Sequence, residues 1–532
     1  MVRSVRRFIA GRGSPAVRDE RDVTVRDALR SPRLLTREAL AGLVVGLALI
    51  PEAISFSIIA GVDPRVGLFS SFVMAVSIAF LGGRPAMITA ATGAVALVVA
   101  PIAPRYGLDM LIATILLAGV FQILLAALGV AKLMRFIPRS VMVGFINSLA
   151  IFVFMAQIPH LIGVPWAVYP LVVAGILIIL IVPRLTRAIP APLVSVALVT
   201  VAAVALSIHV PTVGDQGELP RSLPSFFLPD VPLSWETLSI IAPYAAGVAV
   251  VGLMESLLTA KLVDEITDTR SDKTRESWAQ GAANILSGFF GGMGGCAVIG
   301  QTMMNVRVSG ARTRISTFLA GVFLLVLVVL LGDLVAAIPM AALVAVMIMV
   351  SVASFDWHSV RPATLRRMPL SETAVMLATV ACVVLTHNLA IGVIAGVFFA
   401  SLLFVRRVAR FVGVERRVEV REGAPLARYI VTGELFFASS NDLTTLFEYR
   451  ADPQRVEIDI SGSHVWDAST VAALDAIVTK YAQLGTEVEI TGMNAATSAL
   501  LSRLSEHPRS DDPRSDDPRS AGPGSEQAPG AA

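Results

Sequence analysis

Two carboxylates stand among apolar and small residues in predominantly hydrophobic stretches. Glu52 lies in LALIPEAISFSII and Glu255 in VVGLMESLLTAKLVDEI. Taking a carboxylate out of water without a partner is costly, so acids at such positions bind something, couple an ion or are paired. Glu255 and Thr259 are four residues apart and share a helix face. A carboxylate and a hydroxyl so placed offer hard oxygen ligands to Na⁺, and the same carboxyl could instead carry a proton. For Glu52 a plain packing or capping role is the competing reading.

A second anomaly is GGMGGCAVIGQTMMNVRVSG, residues 291–310, where glycines interrupt an apolar run. A similar break opens RPAMITAATGAVALVVAP, residues 84–101. A half-helix that starts at mid-membrane leaves its first N–H groups unpaired and carries about half a positive charge there. Two such ends facing each other make an anion site without a basic side chain. Thr92 and Gln301 can add hydrogen bonds, and Gly291, Gly292, Gly294 and Gly295 are expected to let the chain turn and to let an ion approach the backbone. The competing reading is that these glycines only permit close helix packing.

These residues need a membrane frame to hold them. The 532-residue chain is 55% hydrophobic and only 16% charged, too apolar for an ordinary soluble enzyme. Hydropathy gives fourteen segments, near 38–61, 66–82, 86–101, 109–131, 140–160, 167–183, 190–209, 238–262, 276–292, 295–306, 314–332, 335–353, 371–387 and 389–406. With the N-terminus inside, the inside loops collect Arg84, Lys132, Arg135, Arg139, Arg184, Arg187, Lys261, Arg270, Arg307, Arg312 and Arg361. The outside loops hold only Arg65, Arg105 and Arg221. That asymmetry fixes both termini in the cytoplasm and the chain in the cell membrane. The Pro-rich loop at about 210–236 separates seven segments from seven, and an odd number inverts the second copy.

After Arg406 the pattern changes. RYIVTGELFFAS, RVEIDISGS and EVEITGM alternate as strands, and STVAALDAIVTKYAQLG and AATSALLSRLS read as helices. The domains expected are a basic cytoplasmic segment at 1–35, a membrane domain at 36–408, a small α/β domain at 418–505 and a disordered tail at 506–532 with repeated DDPRS. No cleaved signal peptide is read near the N-terminus. The charged run from Asp264 to Arg275 is expected to be a solvated loop. Cys296 and Cys382 are read as small buried residues rather than a disulfide.

The net charge of +3 and scattered basic residues give no nucleic-acid face. HExxH, GxSxG and facing aspartate pairs are missing from the sequence, which leaves no enzymatic reading.

Several motifs in order resemble the sulfate permease (solute-carrier 26) family. They are PEAISFSIIAGVDPRVGLFSS, TAATGAVALVV and GQTMMNVRVSGARTRIS, followed by a C-terminal domain similar to the STAS domain. The resemblance covers about 36–505. It implies a polytopic helical transporter with a 7+7 inverted repeat. Segments 1–4 and 8–11 would form a core that moves like an elevator against a gate of segments 5–7 and 12–14, in a homodimer. By motif it places the substrate at Glu52, Phe56, Thr92, Gly93, Ile299, Gly300 and Gln301, and the coupling ion at Glu255 and Thr259. Many animal members carry an arginine where this chain has Gln301. Its loss favours symport with a cation, Na⁺ or H⁺, and no other cofactor is implied. GGMGGCAVIGQ is most similar to the sodium-dependent bicarbonate transporters of BicA type, and sulfate and dicarboxylates such as fumarate remain alternatives. An anion channel or a non-transporting sensor is the reading from another class. In HVWDASTVAALD, Ala468 stands where STAS relatives carry a phosphorylatable serine. A docking or assembly role, with a cytoplasmic protein as partner, is therefore expected of that domain.

Overall fold

The computed structural model describes residues 23–504 except 134–136, 186–189, 233, 387, 410 and 422–423. The tail at 506–532 and most of the basic N-terminal segment lie outside the described residues. The chain divides into two compact units, one up to Phe398 and one from Phe399.

The first unit is helical. Its long elements are α1 (Pro32–Ile59), α2 (Pro64–Leu81), α3 (Gly93–Val99), α4 (Ala103–Ala127), α5 (Arg139–Met155), α6 (Val168–Leu185) and α7 (Ala191–Ala205). The second half repeats the order with α8 (Trp235–Thr267), α9 (Lys273–Phe289), α10 (Ile299–Met303), α11 (Arg314–Leu330), α12 (Met340–Ser354), α13 (Leu370–Thr386) and α14 (Leu389–Ala409), the last of which contains the boundary between the units. Each corresponds to one of the fourteen hydropathy segments. Prolines set several starts: Pro32 and Pro64 occupy first positions, where the missing N–H is no loss. At 1.5 Å per residue α1 spans about 42 Å, enough to cross a ~30 Å hydrocarbon layer. Seven of the described helices are long and apolar enough to cross a membrane. The chain is an integral membrane protein.

The helix pairs reveal the repeat. α4 packs on α9 and α2 on α11; α1 packs on α11 and α4 on α8; α5 packs on α13 and α6 on α12. Exchanging each segment with the one seven places away converts every pair into its mate. Small residues make the closest contacts. An added Cβ on Gly119 would meet the Gly281 carbonyl at 2.6 Å, and one on Gly281 would meet the Gly119 carbonyl at the same distance. Segments 1–4 and 8–11 form one packed group, and α5, α6, α7, α12 and α13 another. They meet where α7 and α12 touch α1 and where α5 touches α3. Asn147 ties the second group together, donating to Ser359 Oγ at 3.0 Å and accepting from the Asp356 N–H at 2.8 Å.

The charged run after α8 is more built-in than a solvated loop. Asp264 accepts from Arg84 Nη1 at 3.0 Å and from Lys273 Nζ at 2.7 Å, with its side chain only 19% exposed. Asp272 caps α9 by accepting the Arg275 N–H.

The second unit is a four-stranded sheet in the order β3–β4–β5–β6, β1 and β2 being the short membrane strands described below. Here β3 is Gly413–Arg421, β4 Ala424–Leu435, β5 Arg455–Val465 and β6 Glu487–Thr491. The first pair is antiparallel and the other two are parallel. Helices α15 (Phe437–Leu443), α16 (Ala468–Gln483) and α17 (Ala495–Leu504) complete it. Tyr429, Ile458, Leu474 and Tyr481 are at the centre of its core. The side chain of Asp452 accepts from Tyr429 Oη at 2.7 Å, Tyr481 Oη at 2.5 Å and Arg416 at 2.8 Å. Burial and the bond to Asp452 push the Tyr481 hydroxyl far above its ordinary pKa. Two elements went unread in the sequence: β3, whose GVERRVEVR is charged along its length, and the short α15.

Candidate anion-binding site

The two interrupted segments meet directly. Before α3 lies the strand β1, Thr89–Ala90, and before α10 lies β2, Cys296–Ala297; they pair antiparallel, Thr89 with Ala297 and Ala90 with Cys296. The Val298 N–H extends the ladder to the Ile88 carbonyl at 2.8 Å. Such pairing satisfies backbone groups that lipid could not. Side chains finish it. Asn284 donates to the Gly295 carbonyl and accepts its N–H, and Ser70 donates to the Gly294 carbonyl at 2.6 Å. Thr302 Oγ1 accepts the Ile88 N–H at 3.0 Å.

Because the strands are antiparallel, the helices leave in opposite directions. Val298 precedes α10 opposite Ile88, while Thr92 precedes α3 four residues further along. At about 3.3 Å per extended residue the helix starts stand on the order of 13 Å apart. Thr92 caps α3, accepting from the Val95 N–H, whereas no side chain caps α10.

The glycines divide into two kinds. Gly291 and Gly294 have φ of +71° and +70°, a conformation that favours glycine. A Cβ on Gly295 would strike the Ala90 carbonyl, and one on Gly292 would lie 2.8 Å from Ser70 Cα. Gly291 and Gly294 thus serve the turn, as expected, and Gly292 and Gly295 the close contacts with Ser70 and Ala90. Gly300 differs: nothing lies within 4 Å of where its Cβ would be. Open space adjoins the α10 backbone there.

The acidic side chains arrive from the first helix of each half. Glu52 Oε1 accepts from Gln301 Nε2 at 2.8 Å, and both side chains are buried. In this orientation the amide donates to the carboxylate. Gln301 Oε1 is thus left buried with no hydrogen-bond partner. Phe56 lies against Gly93; a Cβ on Gly93 would meet its ring at 2.9 Å and Val153 of α5 at 3.2 Å. Glu52, Phe56, Gly93 and Gln301 therefore belong to one cluster, and Thr92 is beside it.

Glu255 reaches the strand pair from α8. Its Oε2 accepts from the Cys296 thiol at 3.0 Å, and Cys296 Sγ is 3.1 Å from Thr92 Oγ1. Thr259 Oγ1 donates to the Glu255 backbone carbonyl at 2.7 Å, so its proton is engaged and its lone pairs remain for an acceptor role. Ser256 Oγ accepts the Ala297 N–H at 3.1 Å. Among the described residues no group of three His, Cys, Asp or Glu could hold a metal, so a cation beside Glu255 needs hydroxyl or carbonyl oxygens too. Cys296, read only as a small buried residue, joins Glu255 to Thr92. Its place three residues before α10 was the available signal.

None of the stretches 38–59, 86–101, 238–260 and 291–306 contains a lysine or arginine. The site holds two carboxylates and backbone dipoles, with no fixed cationic side chain from these stretches.

Inverted halves, paired broken segments and buried acids at the break are the features of a transporter fold. The chain belongs to the sulfate permease family, which it matches over residues 35–174 and 164–379, and carries a STAS domain match at 416–509. It is 49% identical to "Putative sulfate transporter YbaR" of Bacillus subtilis over 88% of this chain and 97% of that one. It resembles the solved transmembrane domain of the cyanobacterial bicarbonate transporter BicA, with 25% identity, TM-score 0.59 and coverage of 68% of this chain and 98% of that one. Mouse Slc26a9 in its inward-facing state shares the fold at 17% identity, TM-score 0.77, over 88% and 87%. The protein is an anion transporter of this family and not an enzyme.

Proposed function

We propose Na⁺-coupled symport of bicarbonate. The group of segments 1–4 and 8–11 moves like an elevator against the group of 5–7 and 12–14, in a homodimer in the cytoplasmic membrane with both termini inside. The anion lies between the starts of α3 and α10. It contacts Phe56, Thr92, Gly93, Ile299, Gly300 and Gln301, with Glu52 alongside, and Na⁺ is held by Glu255 and Thr259.

The observation that carries the choice of anion is the unpartnered Gln301 Oε1. A buried acceptor without a donor costs ~1–3 kcal/mol. Bicarbonate brings one O–H that can donate to it, whereas fully ionised sulfate brings acceptors only. A dianion also fares worse than a monoanion beside Glu52 and Glu255, because the four stretches that form the site contain no lysine or arginine. A co-transported cation offsets the remaining negative charge.

A second reading is proton-coupled transport of sulfate or a dicarboxylate, supported by the similarity to YbaR. In that case Glu255 carries the proton. A channel or sensor would move no substrate against a gradient.

The test of the anion choice is Gln301→Met, which removes the acceptor at nearly constant volume. Bicarbonate binding, read by competition in the purified protein, should weaken about tenfold relative to sulfate, as ~1.4 kcal/mol implies. An unchanged bicarbonate-to-sulfate ratio contradicts the reading.

A further inference from the structure

Three loops at the end of the membrane unit where α1 begins converge on a cavity of about 500 Å³. Four arginines line it: Arg84 from the loop after α2, Arg270 from the α8–α9 turn, Arg312 from the loop before α11 and Arg314 at the first position of α11. They come from both halves of the repeat. Thr24 and Thr269 add hydroxyl oxygens, and among the described lining residues there is no carboxylate.

The arginines are held in place largely by uncharged groups. Arg314 Nη2 donates to the Gly82 carbonyl at 2.6 Å, and Arg312 Nη1 to the carbonyls of Val306 and Ala311 at 2.8 and 2.9 Å. Carbonyl oxygens position a guanidinium without cancelling its charge. Four carboxylates bond the lining residues from behind. Asp27 accepts from the Thr24 hydroxyl at 2.6 Å, and Glu276 from the backbone N–H groups of Gly83 and Arg84. Asp264 is shared between Arg84 and Lys273. Glu38 is occupied by the backbone N–H groups of Arg312, Thr313 and Ser316. Arg84 is only 7% exposed, and its Nε has no hydrogen-bond partner. Burial lowers its pKa; Asp264 opposes this and the Arg312 charge adds to it. A buried, partly unpartnered guanidinium among three others marks a place built for an anion.

We propose that this cavity binds a phosphate group. Guanidinium forks match the paired oxygens of phosphate better than they match a point charge, and hydroxyls complete such sites. The cavity lies apart from Gln301 and Gly300 in sequence and lining, and it accounts for the SGARTR stretch, which the transport site does not use. A ligand here ties three loops together, so its binding should stabilise the folded protein. The phosphate can be free inorganic phosphate or the headgroup of an anionic lipid.

The test uses the full-length protein. Thermal unfolding in detergent is followed against inorganic phosphate at constant ionic strength. In parallel, lipid retention is measured after reconstitution in nanodiscs of phosphatidylglycerol or of phosphatidylcholine. Arg270→Gln removes an exposed guanidinium and should fold normally; Arg312→Gln is the second variant. Phosphate stabilisation of the wild type, weakened about three- to tenfold in affinity by Arg270→Gln, assigns the site to free phosphate. Selective retention of phosphatidylglycerol, lost in both variants without a phosphate response, assigns it to the lipid headgroup. Phosphate binding that survives both variants but vanishes in Gly300→Trp belongs to the transport site and overturns the proposal. The absence of any Arg270- or Arg312-dependent binding overturns it as well.

Discussion

Substituting Gly295 and Gly300, five residues apart, should give opposite results. At Gly295 an alanine Cβ runs into the Ala90 carbonyl, which is fixed by the β1–β2 pairing. Neither backbone can withdraw without breaking the ladder, so Gly295→Ala should destabilise the protein by ~1–3 kcal/mol, the usual cost of overpacking. At Gly300 a Cβ meets nothing within 4 Å. Gly300→Ala should therefore fold at least as well as the wild type, gaining ~0.4–1 kcal/mol because the unfolded chain loses freedom. Gly300→Trp should also fold but fill the space beside the α10 backbone and abolish transport. Scanning fluorimetry in detergent reads stability, and proteoliposome uptake reads function. A Gly300→Trp variant that binds and transports normally would refute the half-helix site. A Gly295→Ala variant as stable as the wild type would refute the strand contact.

Glu255→Gln should leave the protein folded and reduce coupled uptake on the order of a hundredfold, as loss of a charged ligand worth ~3 kcal/mol implies; full coupled activity would remove Glu255 from the coupling role. Truncation after about residue 418 should lower dimer content or transport rate and leave the preference among bicarbonate, sulfate and fumarate unaltered. A shifted preference would count against an assembly role for the STAS domain.

The segments, the seven-plus-seven division and the two interrupted helices were legible because apolar length and the placement of arginines report directly on spans and loops. Glu52 and Gln301 could be named from sequence because each is an expensive residue in an apolar helix. Their mutual hydrogen bond could not, since they are 249 positions apart. The strand pairing was hidden for a related reason: two residues per strand carry no alternation. The glycines at 291–295 were legible as turn formers, which Gly291 and Gly294 are, but a glycine that admits a neighbouring carbonyl and one that admits a ligand look the same in sequence. Only the position of Ala90 separates them. The charged strand β3 escaped because an edge strand with Glu and Arg on successive positions lacks the apolar face that marks a half-buried strand.

The most direct test of coupled bicarbonate transport is uptake of labelled bicarbonate into proteoliposomes at fixed pH, with and without an inward Na⁺ gradient, with sulfate and fumarate alongside. The account predicts bicarbonate accumulation above equilibrium that requires the Na⁺ gradient and is lost in Glu255→Gln. Sulfate or fumarate uptake driven by a proton gradient, with no Na⁺-dependent bicarbonate signal, would contradict it.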